Sequence, residues 1–463
     1  MNARAHDEAI DARRPARAQQ PGDPPMKGAS NVASKRASKA ETDEPRVSRP
    51  SLLQRLTFGA WARGSTPPQR PSKPPPSPSR RLVRRALLAT FALLILALVP
   101  AVARHARATA MLLRLAGSPP SSSQMLENDV VTEEVTIPGA MWTSDNTVGD
   151  IPARIYRPAH ASIFGKPRGI VLAHGVHYLG IEEPRLVALA NALSRSGVAV
   201  LTPELAPLAD YRVEDPGNLA ALRASVHYFA SRADVVEEGG VGLMGVSFAG
   251  GLSLRVASER EMDSDLAFVV SIGGHHDMRR IARYFVTDEV ETPEGETIPW
   301  RAHDYGLAVL VYDTPERFVP AADVPVFKTA VRAFLHDSYA EADALAVPLS
   351  PEAHGIYESI AHRDTHALAP QVLAAMHDIE GTLMAASPAG HIKDIRVPIY
   401  LLHGAHDNVV PPSESRWIAK EAQGHTEVHL LVTTKIGHAE LGEDGGVGEE
   451  LQLVHFMAQL MDD

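Results

Sequence analysis

A serine hydroxyl is a weak nucleophile until a neighbouring base takes its proton. Ser247 stands where that chemistry is usually built. It lies in Gly245-Val246-Ser247-Phe248-Ala249-Gly250, after the apolar run VGLM and at the start of the helical stretch FAGGLSLRVAS. A serine at the tip of a strained strand-to-helix turn is presented above a sheet, and small neighbours let strand and helix come close. The common pattern places Gly two residues after the serine; here Ala249 fills that place and Gly250 follows. The bland alternative is a Gly-rich turn with an idle serine. Which holds depends on whether a base and an orienting acid accompany it.

Both are present. Asp407 lies in LHGAHDNVVPP, directly after the apolar VPIYLL. Its carboxylate is therefore expected at the C-terminal edge of the sheet that presents Ser247, the edge where open α/β sheets bind ligands. His438, in KIGHAE, follows a predicted strand at 428–432 and precedes the last helix. Serine, acid, histidine is one of the chain orders in which this relay occurs. Ser247 is read as nucleophile, His438 as base and Asp407 as the acid that orients it. The oxyanion donors are read as the N–H groups of Phe248 and of Val176, the latter in AHGVH after the strand GIVLA. A further cluster, Ile272-Gly273-Gly274-His275-His276-Asp277, follows another apolar strand at the same edge. Adjacent histidines on an extended segment point to opposite sides, which disfavours joint metal chelation. The cluster reads as pocket wall or cap hinge, with Asp277 as an alternative acid; no metal and no cofactor is assigned.

These residues need a scaffold. Residues 133–137 and 151–156 read as lead-in strands, and 169–173, 198–201, 241–245, 267–272, 397–402 and 428–432 as buried ones. Helices are predicted at 185–195, 218–230 with Asn218 as N-cap, 248–257, 413–422 and 448–460. Apolar strands alternating with helices predict an α/β fold with a doubly wound, mostly parallel sheet. Between 272 and 397 come amphipathic helical stretches, at 305–312, 324–336 and 370–384, with no strand alternation. The expected domains are a core of residues 131–275 and 396–463 with an inserted helical cap, 276–395.

Through HGVH, GVSFAG, HGAHDNVVPP and IGHAEL, the chain from about Val131 to the C-terminus resembles the α/β-hydrolase superfamily. The cap and SPAGHIKDIRVP look like those of bacterial members. The resemblance implies the α/β-hydrolase fold and hydrolysis of an ester, thioester or amide through an acyl-serine intermediate. Dehalogenase relatives carry Asp at the nucleophile position, so Ser247 argues against that chemistry. The expected function is a carboxylesterase or lipase-like enzyme acting on a small-molecule ester or lipidic substrate. A peptidase or amidase on the same triad, and a non-catalytic binding module, are the alternatives.

The chain has 463 residues and a formal net charge of −11, unevenly spread. Residues 1–85 hold 18 Lys/Arg against 7 Asp/Glu, leaving 27 against 49 for residues 86–463. An acidic body argues against nucleic acid as partner. With no cysteine, thiolate chemistry and disulfides are excluded. Residues 1–80, rich in Ala, Arg, Ser and Pro, read as a disordered basic tail, with SLLQRLTFGAW (51–61) as an apolar patch. Residues 86–103 (ALLATFALLILALVPAVA) are uncharged and long enough for a transmembrane helix. Arg80, Arg81, Arg84 and Arg85 precede them, and Arg104 and Arg107 follow. The heavier N-terminal cluster predicts a single-pass cell-membrane protein with a cytoplasmic N-terminus and the catalytic domain outside. A cleaved signal peptide ending at Ala101-Val102-Ala103 is the alternative, against which the long preface counts.

Overall fold

The computed structural model describes residues 78–117, 128–139, 149–160, 165–438 and 446–461. The expectations for the tail therefore lie outside the described residues, apart from 78–80, which open a helix, α1 (Pro78–Leu115). The chain divides after Ala92, and residues 93–463 contain the sheet and the helices packed on it.

Eight strands form one sheet: β1 (Val130–Ile137), β2 (Ile151–Pro158), β3 (Gly169–Ala173), β4 (Ala199–Pro203), β5 (Val241–Val246), β6 (Leu266–Ile272), β9 (Ile399–Gly404) and β10 (Val428–Thr433). Their order is β1-β2-β4-β3-β5-β6-β9-β10. β2 runs against its seven companions, pairing antiparallel with β1 and β4, while the other pairs are parallel. β3, β4 and β9 are buried along their whole length, as continuous apolar strands covered on both faces must be. Edge strand β1 is mostly exposed and carries Thr132, Glu133 and Glu134 instead.

Helices cover both faces. On one lie α3 (Pro216–Ser231), α4 (Phe248–Ala257) and α12 (Ser413–Ala422), which bury Leu222, Phe229, Leu252 and Ile418 against the sheet. On the other lie α2 (Pro184–Arg195) and α13 (Val447–Leu460), which bury Leu186, Leu193 and Phe456. The end of α1 joins this second face through Ala108 and Met111, a packing role the sequence did not reveal. The expected membrane segment, 86–103, lies inside α1, which runs through Pro100. Side chains at 86, 89 and 92–98 lie outside the described residues, and among the described residues no helix is long and apolar enough to cross a membrane.

Between β6 and β9 come α5 (Met278–Thr287), α6 (Asp304–Asp313), α7 (Val324–Leu335), α8 (Tyr339–Ala346), α9 (Pro351–Ala361), α10 (Thr365–Asp378) and α11 (Glu380–Ala385). Helices α6 to α10 share an apolar cluster that includes Leu307, Phe327, Val331, Tyr357 and Leu368, while Ile281 and Tyr284 of α5 and Leu383 of α11 join the apolar core under the sheet. Three expectations need correction. The insertion is not wholly helical: β7 (Glu289–Glu291) and β8 (Thr297–Pro299) form an antiparallel hairpin too short to show alternation. The predicted helix 370–384 is two helices that meet at Ile379. Asn218 is not an N-cap. Pro216 starts α3, Asp215 caps it by accepting from the Gly217 N–H, and Asn218 turns inward to bond Leu208, Arg212 and Val213 backbone groups.

Candidate active site

The turn between β5 and α4 holds Ser247 at φ 56°, ψ −135°, a conformation rare for a residue with a side chain. Two bonds hold it there: Ser247 N–H donates to Ile272 O (2.7 Å) and Gly250 N–H donates to Ser247 O (2.8 Å). Gly245 makes the turn possible, since a Cβ there would lie 2.1 Å from Ala249 O.

The structure brings the three expected residues together. Ser247 Oγ lies 2.9 Å from His438 Nε2, and His438 Nδ1 lies 2.7 Å from Asp407 Oδ2. Asp407 follows β9 and is almost fully buried. Burial alone would raise its pKa. The electrostatic attraction and hydrogen bond of His438, with the His403 ring 3.5 Å away, outweigh it and hold the carboxyl below the usual carboxylate range. An ionised carboxylate only accepts, so His438 carries its proton on Nδ1 and leaves Nε2 to accept from the serine hydroxyl. The other carboxylate oxygen, Oδ1, accepts from the Val409 and Val410 N–H groups, both at 2.9 Å. His403 Nε2 donates to Val410 O (2.8 Å), and its Nδ1 meets Ser415 Oγ at 2.6 Å, so the core side of the acid loop is tied down.

The expected oxyanion donors flank the serine. Phe248 opens α4, where the first N–H groups of a helix have no intrahelical acceptor. Across the sheet, Gly175 approaches so closely that a Cβ there would lie 3.3 Å from Ser247 Cβ. Val176 follows it, and among the described residues neither the Phe248 nor the Val176 N–H donates to a backbone acceptor. His174 shapes this loop: its Nδ1 bonds Gly175 O (2.8 Å) and its Nε2 accepts from the Leu205 N–H (3.0 Å). Burial lowers its pKa and keeps it neutral, as the accepting Nε2 requires. The motif HGVH suggested the donors; the supporting role of its first histidine went unread.

The cluster 272–277 does not join the relay as an alternative acid. Asp277 caps α5 and pairs with Arg279 (2.8 Å). The two histidines diverge, as an extended segment demands: His275 is buried with Nε2 against Ala386 O, and His276 Nε2 meets Glu421 at 2.7 Å. Arg280 joins them to the core by pairing with the buried Glu414 (2.7 Å). Gly273, however, is part of the site. Its φ is +62°, and a Cβ there would lie 3.3 Å from Asp407 Oδ2. Beside the oxyanion loop, the rings of His177, Tyr178 and His336 stack at 4.8 and 4.1 Å, which ties that loop to the end of α7.

No protein-family model and no curated protein sequence matches the chain. Solved structures do. An acylaminoacyl peptidase of Pyrococcus horikoshii is 10% identical at TM-score 0.42, covering 72% of this chain, which spans 41% of the peptidase. A Pyrobaculum calidifontis esterase is 14% identical at TM-score 0.37, over 84% of this chain and 97% of its own. Est1E from Butyrivibrio proteoclasticus is also 14% identical at TM-score 0.37, over 71% and 98%. Likeness of that extent carries nothing about activity or substrate. Strand order, the reversed second strand and the serine turn after the fifth strand speak for themselves: the chain has the α/β-hydrolase fold, with a Ser–His–Asp relay where that fold presents its nucleophile.

Proposed function

We propose that the protein is a serine hydrolase that cleaves a carboxylic ester through an acyl-serine intermediate. The observation that carries this reading is the unbroken relay from Ser247 through His438 to the ionised Asp407. Ser247 Oγ attacks the ester carbonyl while His438 Nε2 takes its proton. The Phe248 and Val176 N–H groups receive the developing oxyanion. His438 then returns the proton to the departing alcohol, leaving the acyl group on Ser247. Water, deprotonated by the same nitrogen, releases the acid and restores the serine. Asp407 stays ionised and stabilises the imidazolium throughout.

The apolar surroundings of the serine support an apolar acyl group, and an alcohol, which leaves more readily than an amine, is the leaving group proposed. Val176, beside the serine, packs against the apolar clusters of both core and cap. A peptidase or amidase would use the same relay, and a binding module would leave it idle. A panel of esters and amides sharing one acyl group tests this. Ester turnover well above amide turnover is expected; amide turnover equal to or above it would overturn the ester assignment.

We also propose that residues 86–103 anchor the protein in the cell membrane, with the catalytic domain outside. The uncharged apolar run and the heavier arginine cluster before it support this. Recovery of the full-length protein in the membrane fraction after alkaline extraction is expected, with release on deletion of 86–103. Extraction of the full chain would refute it.

A further inference from the structure

The acid loop is gripped from two sides, and the second grip comes from the insertion. Tyr284 Oη, on α5, donates to Asn408 O (2.7 Å). The His303 N–H, at the start of α6, donates to the same carbonyl (2.8 Å). The Trp300 indole N–H, just after β8, donates to Asp407 O (3.2 Å). Three donors thus converge on two successive carbonyls of one loop, one of which belongs to Asp407 itself.

The convergence matters because a peptide is planar. The Asn408 carbonyl and the Val409 N–H belong to one rigid unit, so fixing the carbonyl end fixes the amide end. That amide end donates to Asp407 Oδ1 at 2.9 Å. Tyr284 is therefore the outer end of a chain that runs through the 408–409 peptide to the Asp407 carboxylate, then to His438 and Ser247. Bonds in such a chain also polarise one another. The link is well placed to persist: Tyr284 is buried, and burial, with the negative charge of Asp407, raises its pKa above the usual tyrosine range. Its hydroxyl remains a donor at any working pH.

We propose that Tyr284 and Trp300 are positioning residues for catalysis. They act through the 407–409 backbone to hold the Asp407 carboxylate in line with His438, so that the insertion forms part of the triad's frame. This rests on the serine hydrolase reading. Tyr284→Phe and Trp300→Phe keep a ring and remove one donor each. Each is expected to lower kcat for an activated ester about five- to tenfold with KM unchanged, and to slow fluorophosphonate labelling of Ser247 by the same factor.

A role confined to stability would not depend on Asp407, so the deciding measurement is a double-mutant cycle. In an Asp407→Asn background, Tyr284→Phe is expected to change residual kcat less than about twofold, because the group it positions is already disabled. The same full factor lost in both backgrounds overturns the proposal, as does unchanged kcat in both single variants. Trp300→Phe, cycled in the same way, carries the test if Tyr284→Phe does not fold. Wild-type protein that is folded yet neither labels nor hydrolyses overturns the hydrolase reading, and this inference with it. Labelled wild type with unaffected variants overturns this inference alone.

Discussion

Replacing Gly273 by alanine isolates the contribution of acid geometry to turnover. Gly273 follows β6 at φ +62°, where an alanine costs about 1–2 kcal/mol of backbone strain. Its Cβ would meet Asp407 Oδ2 at 3.3 Å, which is tight enough that the carboxylate must give by a few tenths of an ångström. That oxygen is the one bonded to His438. Misplacement by a full ångström can cost a hundredfold, so about a tenfold loss in kcat is expected, with KM little changed. Gly295→Ala is the matched control. Gly295, at the hairpin tip, also has positive φ (+88°), and a Cβ there meets nothing within 4 Å. Both variants should lose about 1–2 kcal/mol in urea unfolding, and Gly273→Ala alone should lose turnover. Full kcat in a folded Gly273→Ala protein would refute the claim that the Asp407–His438 geometry limits the reaction.

Other consequences are as direct. Burial holds the His275 imidazole down at about 4, against an ordinary 6.5. As pH falls below 6.5 the unfolded chain takes up a proton that the folded chain refuses until about 4. Stability should therefore fall by about 3 kcal/mol across that window and then level off. Denaturant titrations at pH 7 and 4.5 should show this fall, and His275→Asn should flatten it. Glu414→Gln leaves the partly buried Arg280 guanidinium without its carboxylate; a loss of about 3–5 kcal/mol is expected, read as a lower urea midpoint. Asp215→Ala removes the N-cap of α3 and should cost about 1 kcal/mol in the same assay.

The relay was legible because each member follows its own apolar strand, and parallel strands deliver their C-terminal ends to one edge. Ser247 after β5, Asp407 after β9 and His438 after β10 needed no knowledge of long-range pairing beyond that rule. Val176 reaches the same edge by the same rule, coming just after β3, and its N–H as oxyanion donor belongs to the proposed mechanism. What escaped acts through the backbone. Tyr284 and Trp300 bond carbonyls more than a hundred residues ahead of them, and a carbonyl has no side-chain signature. His174 was hidden in plain view, because its partners are its neighbour's carbonyl and the distant Leu205 N–H. The error at Asn218 came from weighing a capping residue above Asp215-Pro216, where proline at the first helical position is the stronger start signal. The hairpin was signalled by Pro293-Glu294-Gly295, but three-residue strands are too short to show a period of two.

Intact-mass analysis after exposure to a fluorophosphonate tests the central claim most directly. Folded wild-type protein should gain one phosphonyl adduct, mapped to Ser247, and Ser247→Ala protein should gain none. An unmodified wild type, or an adduct that persists in Ser247→Ala, would contradict an activated nucleophile at the β5–α4 turn.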